Sequence, residues 1–266
     1  MIDQDRPIGF IDSGVGGISV LKKSIRQLPH ENFIYYGDSL NAPYGSKPLE
    51  EIQRLTFAAI DYLLEHKAKA IVIACNTATS AAVHLVREQY PDLPVLGIEP
   101  ALKPAIESSN GGSILVMATE TTLKERKFAL LMDRVARNRR VIKMSCPGLV
   151  ELIEDGKANS PETYEYLKDK FDPIVMDDVD AVVLGCTHYP FIRCSLRKII
   201  GPEPKILDGA DGISRHLEKV LTTRNLLSKR TDYGEVLMVN TSGDDHLLKL
   251  SLDLLTADHE ERVDCL

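Results

Sequence analysis

The sequence predicts an α/β protein built from two similar domains, each a doubly wound parallel sheet, related by a pseudo-twofold axis. Three observations predict this fold. Strand-like and helix-like segments alternate along most of the 266 residues, which indicates parallel strands joined by helices. The order of segments in the first half recurs in the second. The third strand of each half ends at a cysteine, Cys75 or Cys186.

The first half alternates short apolar runs with amphipathic helices. Its predicted elements are a strand Ile8–Asp12, a helix to about Gln27, a strand Phe33–Gly37, a helix from about Leu49, a strand Ala70–Ala74, a helix to about Tyr90 and a strand Val95–Ile98. Ala70–Ala74 is continuously apolar, which is typical of a parallel strand buried on both faces. Ile52, Leu55 and Ala59 fall on one face of the second helix.

The second half follows the same plan. Its predicted elements are a strand Ser113–Ala118, a helix over about Thr122–Arg134, a strand Val141–Met144, a helix from Ser160, a strand Asp180–Gly185, a helix to about Ile200 and a strand Lys205–Leu207. Ser160 is the expected N-cap of its helix, because Pro161 suits the first helical turn.

The chain beyond Leu207 adds a predicted strand, Val236–Asn240, and a helix within "TSGDDHLLKLSLDLL". These segments pack most simply on the first half. We therefore expect a first domain of residues 1–98 plus 207–266, with a second domain of residues 99–206 inserted in it.

The composition limits the possible partners. Hydrophobic residues make up 44% of the chain and charged residues 27%, which suits a folded core and disfavours disorder. The net charge of −7 argues against general nucleic-acid binding. No apolar run is long enough to span a membrane, and "MIDQDRPIGF" has no apolar signal segment. We expect a cytoplasmic protein that binds neither nucleic acid nor membrane.

The two strand-ending cysteines are the strongest chemical signal. Each lies where a strand turns into a predicted helix, so backbone N–H groups and the helix dipole favour a thiolate there. Asn76 and Thr77 follow the first cysteine, and Thr187 and His188 follow the second. These polar residues could cap the helices or hold a carboxylate. Ligands of open α/β sheets bind at the carboxyl ends of the strands, so two facing halves would present two thiols across one cleft.

Two loops supply further candidates. "IDSGVGGISVL" is a tight turn before a helix, but no lysine follows its glycines, so it does not match a phosphate loop. Asp12 and Ser13 of this segment end the first strand, which should neighbour the strand of Cys75. In "NAPYGSKP", Tyr44 lies in a turn that could border the cleft.

Together these motifs resemble the glutamate racemases of the aspartate/glutamate racemase family. The resemblance spans the chain in order and includes "YYGD", "GIEPA" and "TSGD". In the aspartate racemases the second cysteine is usually followed by Thr-Glu, whereas Thr187-His188 is similar to the glutamate branch. The matching motifs are Asp12-Ser13-Gly14, Pro43-Tyr44-Gly45, Cys75-Asn76-Thr77-Ala78 and Gly185-Cys186-Thr187-His188.

The resemblance implies racemisation of glutamate without cofactor or metal, supplying D-glutamate for peptidoglycan, by a protein that forms a homodimer. It implies Cys75 and Cys186 as the catalytic thiols, assisted by Asp12 and His188 respectively. Glu154 best matches the glutamate that contacts the histidine, with Glu151 as the alternative. The implied substrate contacts are Asp12, Ser13, Tyr44, Gly45, Asn76, Thr77, Thr187 and His188, with Thr119, Thr121 and Thr122 near a loop that could also reach the ligand.

A paired-thiol mechanism explains why both halves carry a cysteine. Inverting a stereocentre by proton transfer requires a base on one face of Cα and an acid on the other. Two α/β halves can supply these groups from opposite sides. The remaining interpretations are a racemase of another acidic amino acid such as aspartate, a hydrolase with Cys186 as nucleophile and His188 as base, a metal site that uses Cys75, Cys186 and His188, and a non-enzymatic binding module.

Overall fold

The structure is a computed structural model that describes residues 4–135 and 139–256, apart from the side chains of Lys127 and Val135. Two parallel sheets form its framework. The strands are β1 Ile8–Asp12, β2 Phe33–Gly37, β3 Ala70–Ile73, β4 Val95–Gly97, β5 Ser113–Ala118, β6 Val141–Ser145, β7 Val179–Leu184, β8 Lys205–Asp208 and β9 Val236–Asn240.

Eleven helices are found among the described residues. They are α1 Ile18–Gln27, α2 Leu49–Glu65, α3 Asn76–Gln89, α4 Leu102–Glu107, α5 Glu120–Lys124, α6 Arg126–Val135, α7 Leu149–Glu154, α8 Pro161–Phe171, α9 Arg193–Ile200, α10 Ala210–Thr223 and α11 Asp245–Thr256. Short 3-10 turns also occur, including Tyr44–Ser46 and Tyr189–Ile192.

The two sheets share one strand order, which confirms the predicted fold class. The first runs β4-β3-β1-β2-β9 and the second β6-β5-β7-β8, with every pairing parallel. Read from β8 to β6, the strands of the second sheet stand in the order fourth, third, first and second along the chain. The strands β4, β3, β1 and β2 of the first sheet stand in the same order. In each sheet the chain winds outward in both directions from a central pair, β1 and β3 or β5 and β7. Ligand sites of doubly wound sheets lie beside such a pair.

Hydrophobic burial explains why these segments form central strands. All five residues of β1 and all four of β3 are buried, as are all six of β5. Both faces of each sheet are covered by helices, so continuous apolar runs replace the alternation of a half-exposed strand. β9 joins the edge of the first sheet by pairing with β2, and α11 packs near α1.

Two helix predictions differ from the structure. The helix predicted over about Thr122–Arg134 is divided into α5 and α6, because Glu125 has an extended backbone (φ −66°, ψ 143°). After Cys186 a 3-10 turn, Tyr189–Ile192, precedes α9. Cys186 therefore does not lie at an α-helix N-terminus. The N-cap at Ser160 is confirmed, since its Oγ accepts from the N–H of Thr163 at 3.2 Å.

The described chain passes from one sheet to the other twice, after β4 and after β8. The two crossings lie side by side. Gly209 in the second crossing is so close to Glu99 in the first that an added Cβ would be 2.5 Å from the Glu99 carbonyl oxygen. β8 extends to Asp208, past the predicted boundary at residue 206. The domain limits stay a prediction, and residues 1–3, 136–138 and 257–266 of the predicted domains lie outside the described part of the chain.

Candidate active site

Cys75 follows β3 and caps the N-terminus of α3. Its Sγ accepts a hydrogen bond from the N–H of Ala78 at 3.4 Å and lies 3.7 Å from Oγ of Ser13. The side chain is buried. Asp12 ends the neighbouring strand β1, so the central pair of the first sheet brings a thiol and a carboxyl group together.

Burial controls the protonation of Cys75. Burial and the nearby Asp12 carboxylate together raise the pKa of the thiol to about 12, although the hydrogen bond from the Ala78 N–H opposes both. The expected preference for a thiolate at this helix N-terminus is therefore wrong for Cys75. At neutral pH this cysteine is a protonated thiol that can donate a proton.

Cys186 has a different set of neighbours. Its Sγ lies 3.8 Å from Nδ1 of His188, and the opposite ring nitrogen, Nε2, lies 2.6 Å from Oε1 of Glu154. We place a proton on Nε2, because only an N–H can donate to a carboxylate oxygen. Nδ1 can then accept from the Cys186 thiol, or donate to its thiolate when the ring is protonated.

The pKa of His188 is raised well above its ordinary value. Burial acts in the opposite direction, but the hydrogen bonds to Cys186 and Glu154 and the charge of Glu154 outweigh it. His188 can therefore hold a proton next to Cys186 at neutral pH.

The structure brings Glu154, and not Glu151, to the histidine. Glu154 ends α7, and its Oε1 also accepts from the backbone N–H of Val15 at 2.8 Å. Glu151 is exposed on the same helix. The carboxylate reaches the glycine turn only because Gly14 has no side chain, since a Cβ there would lie 1.9 Å from Oε1. Glu154 thus contacts backbone from the first half and a side chain from the second.

Asp12 also joins the two halves. Its Oδ2 accepts from the hydroxyl of Thr187 at 2.9 Å, and its Oδ1 accepts from the N–H of Gly14 at 3.1 Å. Burial raises its pKa, and the charge of His188 and the Thr187 hydrogen bond offset only part of this effect, so the pKa is about 6. Asp12 can therefore change protonation state near physiological pH.

Tyr44 is buried and its hydroxyl donates to Oδ2 of Asp38 at 2.7 Å. Oδ1 of Asp38 accepts from the hydroxyl of Thr241 at 2.8 Å. Sequence reasoning missed Asp38 and Thr241 as residues that hold the tyrosine. Both residues belong to motifs noted in the sequence, "YYGD" and "TSGD". The motifs marked the two positions but did not indicate that these side chains hold the tyrosine.

The remaining predicted residues lie around the same two strand ends. The Oγ1 of Thr77 lies 3.0 Å from that of Thr119 and 3.4 Å from that of Thr122, across the two halves. The Oδ1 of Asn76 is buried and has no hydrogen-bond partner among the described residues. A buried amide oxygen without a partner can accept from a bound ligand.

The arrangement suits proton transfer at a small ligand. Two buried thiols come from different sheets, and a charge on Cys186 raises the pKa of Cys75, so the two sulfur atoms interact electrostatically. Each thiol has its own titratable neighbour, Asp12 for Cys75 and His188 for Cys186. Within residues 4–135 and 139–256 there is no group of three or more His, Cys, Asp or Glu side chains that could hold a metal ion. No helix in those ranges has the length and apolar character needed to cross a membrane.

Comparisons with known proteins show which sequences and structures this chain is similar to. The sequence profile of the Asp/Glu/Hydantoin racemase family matches residues 8–213. The chain is 49% identical to the glutamate racemase of Clostridium botulinum (strain Alaska E43 / Type E3), over 96% of this chain and 99% of that protein.

Solved structures are similar over nearly the whole chain. Glutamate racemase isoform RacE1 from Bacillus anthracis superposes with a TM-score of 0.87 at 28% identity, covering 96% of each chain. Glutamate racemase from Francisella tularensis, solved in complex with D-glutamate, gives a TM-score of 0.83 at 29% identity, covering 96% of this chain and 95% of that one.

Proposed function

The chain belongs to the Asp/Glu/Hydantoin racemase family and is an amino-acid racemase that acts on glutamate, and we propose that Cys75 and Cys186 are its two proton-transfer groups. One observation carries the assignment of residues. The central strand pair of each sheet delivers one buried thiol, and each thiol has a separate assistant, Asp12 or His188. The product D-glutamate serves peptidoglycan synthesis.

The proposed reaction from L-glutamate begins at Cys186. Its thiolate takes the Cα proton, so the C–H bond breaks, an S–H bond forms and Cα retains the electron pair. The thiol of Cys75, which burial keeps protonated, donates its proton to the opposite face and becomes a thiolate. From D-glutamate the two cysteines exchange roles. The family resemblance supplies the assignment of each cysteine to one enantiomer.

The assisting groups adjust these proton transfers. The protonated ring of His188 can stabilise the thiolate of Cys186, because Nδ1 faces the sulfur and Glu154 holds the other side of the ring. Asp12 lies beside Cys75 and influences its pKa through charge. The Cα proton is far less acidic than a thiol, so positioning and exclusion of water must lower the remaining barrier.

The substrate contacts are proposed from the same residues. Asn76 offers a buried acceptor, Thr77 lies at the N-terminus of α3, and Ser13, Tyr44, Gly45 and Thr187 surround the two strand ends. Helix N-termini bind anions well, so α3 is a suitable site for one of the two glutamate carboxylates. Thr119 and Thr122 extend the contact surface on the second half through their hydrogen bonds to Thr77.

Isotope exchange tests the paired-thiol proposal. L-glutamate is incubated with the protein in heavy water, and both enantiomers are analysed early in the reaction. Since Cys75 exchanges with solvent before it donates, new D-glutamate should carry deuterium at Cα while unreacted L-glutamate stays largely protiated. Equal early labelling of both enantiomers would contradict two separate bases. Cys75→Ser and Cys186→Ser should each abolish racemisation, with Cys146→Ser as a matched buried control.

The other interpretations predict different results. A racemase specific for aspartate would exchange the Cα hydrogen of aspartate faster than that of glutamate. A hydrolase that uses Cys186 and His188 would form a trapped acyl-enzyme, and it leaves Cys75 without a role. A metal-dependent enzyme would lose activity with its metal. A binding module would tolerate serine at both cysteines.

A homodimer and a cytoplasmic location complete the proposal. The mechanism needs both cysteines as free thiols, which a reducing compartment maintains. Sedimentation analysis at micromolar concentration tests the dimer, and fractionation of cells tests the location.

A further inference from the structure

One hydrogen bond joins the tyrosine turn of the first half to the second half. The Oγ1 of Thr121 donates to the backbone carbonyl of Gly45 at 2.7 Å. Thr121 lies in α5, directly after β5, whereas Gly45 lies in the 3-10 turn Tyr44–Ser46. A threonine within a helix commonly bonds its hydroxyl to a carbonyl of the preceding turn. Here the hydroxyl instead reaches a carbonyl of the other half.

The contact leaves no room for an intervening group. A Cβ on Gly45 would lie 3.0 Å from both Cβ and Cγ2 of Thr119, so the turn packs directly against the start of α5. Thr119 and Thr122 face Thr77 on the same side of the site. The helix α5 therefore contacts both chain segments that line the Cys75 side, the tyrosine turn and the start of α3.

The tyrosine turn is fixed from two directions. The phenol of Tyr44 is held by Asp38, within its own half, and the carbonyl of Gly45 is held by Thr121, from the opposite half. If the Thr121 bond is lost, the turn keeps its anchor at Asp38 and its packing against Thr119, but it loses the hydrogen bond that ties the Gly45 carbonyl to the second half.

We propose that Thr121 is a positioning residue for glutamate binding, which acts through Gly45 by closing the tyrosine turn against the second half. This proposal rests on the proposed function and assigns Thr121 no contact with the substrate. Its bond to Gly45 involves neither thiol nor the groups that assist them. Its loss should therefore weaken substrate and transition state equally, so KM rises while kcat changes little.

The test compares Thr121→Val with Thr121→Ser. Valine keeps the shape and removes the donor, so we expect KM for both enantiomers to rise about fivefold, within the range of one net hydrogen bond. Serine keeps the hydroxyl and should restore KM to within about twofold. Thr223→Val is the matched control, because Thr223 donates its hydroxyl to the carbonyl of Lys219 on an exposed part of α10.

Other outcomes overturn the proposal. An unchanged KM in Thr121→Val, a fall in kcat alone, or a serine variant as impaired as valine would each contradict a role in positioning. If valine lowers the yield of folded protein, Thr121→Ala provides the same measurement. Calorimetric titration with D-glutamate measures the binding loss independently of turnover. A wild-type protein that binds glutamate without racemising it would refute the proposed function. The titrations would still test whether Thr121 contributes to glutamate binding.

Discussion

The Nε2 of His188 lies 2.6 Å from the Oε1 of Glu154, and that same oxygen accepts the backbone N–H of Val15 at 2.8 Å. One carboxylate oxygen thus links the histidine beside Cys186 to the glycine turn beside Asp12. The charge of Glu154 helps to raise the pKa of His188. The carboxylate that helps to raise the pKa of His188 is therefore also held by a contact between the two halves.

Glu154→Gln should lower turnover most when Cys186 is the base. The neutral amide removes the charge that raises the pKa of His188, so the ring holds a proton less firmly. We expect kcat from L-glutamate to fall about tenfold. The enantiomers have equal free energy, so kcat/KM must fall equally in both directions, and any asymmetry must appear in kcat and KM separately.

The matched control for this variant is Glu151→Gln, which changes an exposed glutamate on the same helix. Circular dichroism follows racemisation in each direction. Wild-type kinetics in Glu154→Gln, or equal loss in both glutamine variants, would contradict the assignment of Glu154 to the histidine.

Gly14→Ala should reproduce much of the loss caused by Glu154→Gln. The added methyl group would lie 1.9 Å from Oε1 of Glu154, so the carboxylate must move away from Val15 and His188. Gly212→Ala is the control, because a Cβ there meets nothing within 4 Å and the residue is inside α10. The control should keep full activity and gain up to about 1 kcal/mol of stability. Undiminished turnover in Gly14→Ala would show that the contact is not required.

Asp12→Asn should make the protein more stable relative to wild type as the pH rises from 4 to 7. The folded-state pKa of Asp12, about 6, lies above its ordinary value of 3.8, so the folded state binds this proton more tightly than the unfolded chain. The free energy of unfolding of the wild-type protein therefore falls progressively as the pH rises from 3.8 through about 6. Asparagine has no charge to bury, so the difference should grow by about 1–3 kcal/mol.

Urea unfolding across this pH range measures the difference, with the exposed Asp92→Asn as control. We expect the same Asp12 variant to lose racemase turnover, because the carboxylate is the proposed assistant of Cys75. A stability difference that does not vary between pH 4 and pH 7 would contradict the raised pKa.

Racemisation should continue after prolonged treatment with a metal chelator. Both proposed proton carriers are side chains, so the mechanism requires no Lewis acid and no pyridoxal group. Activity is measured before and after dialysis against chelator, with metal content and the absorbance spectrum recorded on the same sample. Loss of activity that added metal restores would count against the mechanism.

The sequence predicts the strands and the places of the cysteines well, because these depend on local patterns. A continuous apolar run such as Ala70–Ile73 indicates a buried parallel strand wherever it occurs. The break at Glu125 and the 3-10 turn before Arg193 were not predicted, since helix periodicity does not reveal an interruption made by tertiary contacts.

The protonation of the site was the harder prediction. A helix N-terminus indicates a thiolate at Cys75, but burial and the Asp12 charge reverse that preference. Asp38 was missed for a related reason. Its partner Thr241 is far away in sequence, and only the pairing of β2 with β9 brings them together. Contacts of this kind are properties of the assembled fold.

The two chain crossings that lie side by side at Glu99 and Gly209 have a mechanical consequence. A single connecting segment would permit one half to rotate about any axis relative to the other. Two connecting segments in contact permit bending about the line on which they lie, and they resist twisting about the other axes. We therefore expect any movement of one half against the other to be a bend about the line of the two crossings, which keeps the strand ends that precede Cys75 and Cys186 from twisting past each other.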